Sequence, residues 1–157
     1  KRLDKRVKSV GVFVNESIEN IIYLVRNDII DLIQLHGDED SEYISKLKNY
    51  VNTPVIKAFR IKSKSDINNL YKEGSDFILL DAGAGDGKTL DESILKDFKD
   101  DYFLAGGLSP DNIYEKITAL HPFGVDVSSG IETGGKKDAD KMRKFVKLVR
   151  EVENERN

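Results

Sequence analysis

The sequence predicts an α/β fold, a (β/α)8 barrel of which six of the eight strand–helix units are visible. Three observations lead to this prediction: short apolar runs recur at nearly equal spacing, segments of helical period lie between them, and polar or glycine residues follow nearly every run. The runs cover residues 10–14, 31–35, 55–59, 77–80, 102–105 and 124–127. Because they are continuous rather than alternating, we expect strands that are buried on both faces of a parallel sheet.

A segment of helical period follows each run. Side chains that can cap a helix precede the segments, at Ser17, at Ser41 or a nearby acid, at Ser63 or Ser65, at Asp91, and at Ser109 with Pro110. The last helix carries Met142, Phe145, Val146 and Val149 on one stripe, and we expect its end, from residue 151, to fray. Strands that alternate with helices in this way indicate βα units and a parallel sheet.

Two architectures fit this alternation, an open doubly wound sheet and a closed barrel. An open sheet gathers its ligand site at one switch point, whereas this sequence places special residues after nearly every strand, which favours the barrel. A barrel of eight units usually takes roughly 200–250 residues. We therefore expect one domain over residues 1–157 that lacks the first two βα units, because the chain is truncated or because an N-terminal portion was not ordered.

The composition excludes several classes of function. There are 25 Lys and Arg against 28 Asp and Glu, a net charge of −3, which argues against a nucleic-acid partner. No uncharged apolar run reaches the ~18 residues that span a bilayer, and the charged N-terminus does not resemble a signal peptide. The sequence has no cysteine, which excludes disulfides, thiolate metal sites and a Cys nucleophile within it. We expect a cytoplasmic protein.

Asp81 ends the apolar run 77–80. A carboxylate at the carboxyl end of a barrel strand faces the mouth of the barrel, where ligands bind. Asp81 could serve there as a general acid. The alternative is that it only caps the glycine-rich turn that follows.

Two later strand ends have the composition of phosphate-binding loops. Gly106 and Gly107 follow the fifth run, and adjacent glycines let backbone N–H groups approach an anion. Ser129 and Gly130 follow the sixth run, where small residues can open a short helix toward a phosphate. If two units precede the chain, these loops follow strands seven and eight, the usual phosphate site of a barrel. The alternative is a tight turn with no ligand.

Other candidate residues carry weaker signals. Residues 82–89 fit a relaxed Walker A pattern ending in Lys88 and Thr89, but the neighbouring carboxylates of Asp81 and Asp86 oppose a nucleotide phosphate, so a mobile substrate loop is favoured. His36 at a strand end could line the site or pack structurally. Lys57, inside an apolar strand, either pairs with a carboxylate or extends outward to solvent. His121 is expected only to end a helix.

Taken together, these motifs resemble the phosphoribosylanthranilate isomerase family of tryptophan biosynthesis. The matching segments, in the family's order, are residues 10–15, 33–38, 55–58, 78–81 with the glycine-rich loop to Thr89, 104–108 and 124–132. The combination of Gln-Leu-His-Gly at residues 34–37 with the last two segments is highly specific. The resemblance implies a (β/α)8 barrel of the ribulose-phosphate-binding type.

The resemblance also implies an activity and the residues that perform it. Family members isomerise N-(5-phosphoribosyl)anthranilate to the aminoketose, an Amadori rearrangement by acid–base catalysis that needs no metal or cofactor. Asp81 matches the family's general acid, and Gly106, Gly107, Ser129 and Gly130 match its phosphate site. His36 and Asp126 match positions near the substrate. The only partner implied is a small phosphorylated substrate; the protein is a monomer or homodimer, and fusion to another tryptophan-pathway enzyme is compatible with the sequence.

The sequence departs from the family in its catalytic base. The family uses a Cys at the end of its first strand, and this sequence has none. An Arg that binds the anthranilate carboxylate also has no counterpart. We therefore expect negligible isomerase activity from these 157 residues alone. Two rival hypotheses remain: a non-catalytic, incomplete barrel that binds phosphorylated ligands, and a P-loop nucleotide-binding protein.

Overall fold

The computed structural model describes residues 4, 6–68, 70, 74–83, 92–95 and 98–156. Six strands form one sheet in chain order: β1 (Val10–Phe13), β2 (Leu32–Leu35), β3 (Val55–Arg60), β4 (Phe77–Asp81), β5 (Phe103–Ala105) and β6 (Gly124–Val125). Strands β1 and β2, β2 and β3, and β5 and β6 pair in parallel. All six predicted strands and the α/β class are thereby confirmed.

The helices within the described residues are α1 (Ile18–Arg26), α2 (Ser41–Lys48), α3 (Lys64–Asn68), α4 (Ile113–Leu120) and α5 (Ala139–Arg156). Single 3₁₀ turns lie at Glu92–Ile94 and Ser129–Ile131, and a short hairpin joins β7 (Glu132–Thr133) to β8 (Lys136–Lys137). No described helix is long and apolar enough to cross a membrane.

The first two helix starts agree with the sequence analysis. Ser17 caps α1, its side chain accepting a hydrogen bond from the N–H of Asn20 at 3.4 Å. The acid Asp40, rather than Ser41, caps α2 through the N–H of Tyr43 at 2.8 Å. Ser63 directly precedes α3. The expected cap Asp91 lies outside the described residues.

The helix α4 begins at Ile113, later than the predicted start after Ser109. Ser109 still caps the preceding turn, because its hydroxyl accepts a hydrogen bond from the N–H of Asp111 at 3.3 Å and its carbonyl accepts one from the N–H of Ile113 at 3.1 Å. The Asn112 carboxamide accepts a hydrogen bond from the N–H of Ser109 at 2.9 Å and donates one to the carbonyl of Gly107 at 2.9 Å. These two bonds close residues 107–112 into a turn before helical geometry begins, because a side-chain amide competes with the backbone for these groups.

The chain divides into two compact units. The first comprises residues 1–59 and 70–79, and its core lies between β1–β3 and the helices α1 and α2. The core side chains are at most 7 % exposed: Ile21, Ile33, Leu35, Ile44, Leu47, Val51 and Val55. The apolar stripes of α1 and α2 therefore supply one side of this core and the apolar strand β2 the other.

The second unit comprises residues 60–69 and 80–157. Leu104 and Ala105 of β5, Ile113 and Ile117 of α4, and Phe145 of α5 are buried in it. The end of α5 does not fray, because Val152 is buried and Glu155 accepts a hydrogen bond from the hydroxyl of Tyr114 at 2.8 Å. His121 ends α4 with φ 50°, as the sequence predicted.

Candidate active site

Asp81 is the last residue of β4, immediately after three side chains that are at most 1 % exposed, Ile78, Leu79 and Leu80. Its Oδ1 accepts a hydrogen bond from the N–H of Gly83 at 2.8 Å, and its carbonyl accepts one from the N–H of Ile61 at 3.0 Å. The carboxylate therefore closes the turn after β4, as the capping alternative expected, and it lies half-buried at the carboxyl end of a strand.

The loop after β5 packs directly on this turn. Gly106 has φ 89°, and a Cβ at this position would overlap the N–H of Gly83 and lie 2.6 Å from Oδ1 of Asp81. A side chain is excluded here both by the left-handed backbone and by this contact. At the next residue, Gly107, a Cβ would meet none of the described residues within 4 Å, so the backbone there borders space that they leave open.

The loop after β6 packs on the loop after β5 in turn. A Cβ on Gly130 would overlap the carbonyl oxygen of Leu108. Asp126, directly after β6, donates its N–H to the carbonyl of Leu104 at 2.8 Å. The ends of β4, β5 and β6 thus form one continuous surface within the second unit, with Asp81, Gly106 and Gly130 at its contacts.

A lysine that sequence reasoning missed supports the loop after β6. The ammonium group of Lys137 donates hydrogen bonds to the carbonyl and the hydroxyl of Ser128, at 2.8 and 3.1 Å, and to Oε1 of Glu132 at 2.7 Å. The hairpin β7–β8 brings this lysine back to the residue before Ser129. The adjacent glycines between the two short strands, Gly134 and Gly135, are the sequence signal for this hairpin.

The first unit carries a second set of polar residues at strand ends. His36 directly follows β2, is half-buried, and donates its N–H to the carbonyl of Phe13 at 2.8 Å. Lys57 of β3 is buried and pairs with Glu39, with 3.0 Å between Nζ and Oε2. Of the two alternatives for Lys57, pairing with a carboxylate is therefore confirmed. Glu39 itself was not predicted.

Burial by itself raises the pKa of Glu39. Hydrogen bonds from the N–H of Asn15 and from Lys57 outweigh this effect and hold the pKa of Glu39 below its ordinary value. The carboxylate is therefore ionised at neutral pH and forms a true ion pair with the ammonium group of Lys57.

The described residues contain no cluster of three or more His, Cys, Asp or Glu that could hold a metal ion. The Walker-type segment is described only at Ala82 and Gly83, and Lys88 lies outside the described residues. The described geometry supplies the carboxyl groups of Asp81 and Asp126 at strand ends, with the Asp81 turn in contact with the glycine loop after β5.

The chain is similar to proteins of one known family. The profile of N-(5'-phosphoribosyl)anthranilate (PRA) isomerase matches residues 1–148. The enzyme named N-(5'-phosphoribosyl)anthranilate isomerase of Endomicrobium trichonymphae is 45% identical over 157 residues, an alignment that covers 96% of this chain and 76% of that protein. The chain belongs to the phosphoribosylanthranilate isomerase family.

Solved structures of phosphoribosylanthranilate isomerases share the fold. One, in complex with reduced 1-(o-carboxyphenylamino)-1-deoxyribulose 5-phosphate, is 36% identical with a TM-score of 0.80 over 95% of this chain and 74% of its own. Another, a set of monomers generated from the dimeric enzyme of Thermotoga maritima, is 36% identical with a TM-score of 0.78, covering 92% and 73%. The expected resemblance to the phosphoribosylanthranilate isomerase family is thereby confirmed.

Proposed function

We propose that the protein converts N-(5-phospho-β-D-ribosyl)anthranilate into 1-(2-carboxyphenylamino)-1-deoxy-D-ribulose 5-phosphate in tryptophan biosynthesis. Family membership supports the reaction. The observation that carries the assignment of residues is the continuous contact from Asp81 through Gly106 to Leu108 and Gly130. This contact brings an acid and two glycine loops together at the carboxyl ends of three neighbouring strands, β4, β5 and β6.

In this reaction Asp81 acts as the general acid. It protonates the ring oxygen of the ribose, the ring opens to an imine, and a base then removes the proton from C2. The resulting enolamine tautomerises to the ketose. The hydrogen bond from Gly83 to Oδ1 fixes the orientation of the carboxyl group, which is a condition for efficient proton transfer to a bound sugar.

The phosphate of the substrate binds to the loops after β5 and β6, at Gly106, Gly107, Ser129 and Gly130. Two features support this assignment: no described residue lies within 4 Å of the place where a Cβ of Gly107 would be, and the two loops are in contact at Gly130 and Leu108. Backbone N–H groups in such turns form concave surfaces that favour anions. His36 and Asp126 lie at strand ends as residues close to the substrate.

The finer features of the architecture are part of the same proposal. The fold is a (β/α)8 barrel of the ribulose-phosphate-binding type, of which residues 1–157 supply six units as a single domain. The proposal gives the protein a small phosphorylated substrate and a cytoplasmic location, and it allows a homodimer because a solved relative is described as dimeric.

Asp81→Asn in the full-length protein tests the assignment. We expect turnover of phosphoribosylanthranilate to fall roughly 10²- to 10⁴-fold, since the amide cannot donate the proton. Binding of the phosphorylated product, measured by calorimetry, is expected to stay close to that of the wild type. Asp111→Asn is the matched control, because Asp111 is an exposed carboxylate of the same unit. Unchanged turnover in Asp81→Asn would refute the assigned acid.

A further inference from the structure

The ion pair between Glu39 and Lys57 is almost completely buried. The side chain of Glu39 is 1% exposed and that of Lys57 is 8% exposed, with 3.0 Å between Oε2 and Nζ. Removing two charges from water is costly, and apolar side chains of similar size often stabilise a fold as well or better. Stability alone therefore does not explain why the pair is buried. The other hydrogen bonds of Glu39 and Lys57 indicate a second role.

These remaining bonds converge on the turn after β2. Glu39 accepts hydrogen bonds from the N–H of Asn15 at 2.7 Å and from the N–H of Gly37 at 2.9 Å. Lys57 donates to the carbonyl of Gly37 at 2.7 Å. Both polar backbone groups of Gly37 are thus bound by the ion pair, and the pair links the carboxyl ends of β1 and β2 to the middle of β3.

Asn15 holds the other side of the same turn. Its backbone has φ 52°, a left-handed conformation that asparagine tolerates better than most residues. In this conformation Asn15 offers its N–H to Glu39, while its side chain accepts from the N–H of Asp38 at 2.8 Å and donates to the Asp38 carboxylate at 3.3 Å. The turn is therefore fixed on both sides, immediately after His36.

We propose that Glu39 and Lys57 are positioning residues for the isomerase reaction, which hold the turn at residues 36–38 so that His36 is presented to the substrate in one fixed orientation. This inference rests on the proposed function and on the place of His36 near the substrate. Neither Glu39 nor Lys57 needs to touch the substrate, because both are buried beneath the turn.

The same unit offers a control, a lysine–carboxylate pair whose side chains are 31% and 41% exposed. Lys48 pairs with Asp76 at 2.8 Å, and Asp76 also accepts from the N–H of Val55 at 2.8 Å. This second pair therefore lies at the first residue of β3, whereas Lys57 lies further along the same strand toward its carboxyl end. It is a lysine–carboxylate pair bound to backbone, like the first, but it holds no turn near His36.

The kinetic test compares Glu39→Gln, Lys57→Met and Asp76→Asn in the full-length protein. We expect the first two to lower kcat/KM roughly 10- to 100-fold, because small misplacements of a substrate-contacting group have effects of this size. Asp76→Asn is expected to change stability without changing kcat/KM. If Glu39→Gln and Asp76→Asn have the same kinetic effect, the proposal is wrong.

A double variant separates positioning from a general structural effect. If Glu39 acts through His36, then His36→Ala combined with Glu39→Gln has the same kcat/KM as His36→Ala alone, because the group to be positioned is already gone. Losses that multiply in the double variant would overturn the proposal. Where Glu39→Gln alone does not fold, Glu39→Gln with Lys57→Met replaces it, since that variant leaves no unpaired charge buried.

A measurement without turnover distinguishes failure of this inference from failure of the proposed function. Amide hydrogen exchange in the wild-type protein and Glu39→Gln reports on the N–H groups of Asn15, Gly37 and Asp38 directly. We expect exchange at these three amides to accelerate in Glu39→Gln while that of Ile33 in β2 stays slow. Unchanged exchange at Gly37 would refute the proposal that the ion pair holds the turn at residues 36–38, whatever reaction the protein catalyses.

Discussion

At the scale of single residues, two glycines allow the loops of the proposed phosphate site to pack against each other. Gly106 and Gly130 are positions where one loop lies against the backbone of the next, so neither can carry a side chain without moving main-chain atoms. These contacts account for both glycines whether or not a phosphate binds. The choice between a binding loop and a simple turn is therefore made by measuring binding.

We predict that Gly130→Ala weakens both the fold and the binding of phosphate. The added methyl group overlaps the carbonyl of Leu108, so the loops after β5 and β6 must separate, at a cost of about 1–3 kcal/mol. Titration calorimetry with the phosphorylated product is expected to show a loss of affinity of at least tenfold.

Gly124→Ala is the control for this prediction. It places a methyl group at the start of the same strand, where the nearest atoms belong to the ring of Phe103 and can move aside. We expect its thermal stability to fall without a change in product affinity. Equal losses of affinity in the two variants would contradict the assignment of the loops.

The lowered pKa of Glu39 predicts how the free energy of unfolding changes at acidic pH. A carboxyl group whose pKa is lower in the folded than in the unfolded protein stabilises the fold above its ordinary pKa of 4.5, and this stabilisation is lost as the pH falls through the lower, folded value. Denaturant unfolding from pH 7 to pH 3 is therefore expected to show a smaller loss of unfolding free energy in Glu39→Gln than in the wild type. Parallel curves would show that Glu39 does not contribute.

At the scale of secondary-structure elements, the strands were predictable because a strand buried on both faces is a continuous apolar run, and each such run became a strand. The start of α4 was not predictable, because it depends on two hydrogen bonds of the Asn112 side chain. The partner of Lys57 was also not predictable. Which carboxylate Lys57 can reach depends on the strand register that sets Leu35 beside Lys57. A single sequence does not determine that register.

The hairpin β7–β8 leads to a further prediction, because it places the ammonium group of Lys137 against Ser128. The ammonium group donates three hydrogen bonds to Ser128 and Glu132, so we expect Lys137 to hold the loop. We expect Lys137→Met to reduce product affinity several-fold with little effect on stability, since exposed ion pairs contribute ~0–1 kcal/mol.

The neighbouring residue provides the control for the hairpin. Lys136 is exposed in the same strand, so Lys136→Met removes an equal charge from the same short element. Calorimetry on both variants distinguishes a local anchor from a general effect of positive charge on an anionic ligand. If the two variants lose affinity equally, long-range charge and not the bonds to Ser128 explains the effect.

At the scale of the whole molecule, the 157 residues contain the proposed acid and the proposed phosphate loops but no cysteine, so they lack the base that the resemblance to the family implies. A missing base typically lowers the rate by roughly 10²- to 10⁴-fold. We therefore predict that these 157 residues, assayed alone, show turnover lower by this factor than a cysteine-containing relative. The residual rate should be insensitive to iodoacetamide, which alkylates thiolates and should inactivate the relative. Turnover at the relative's level would mean that a residue within these 157 supplies the base, and the pH profile of kcat/KM would then report its pKa.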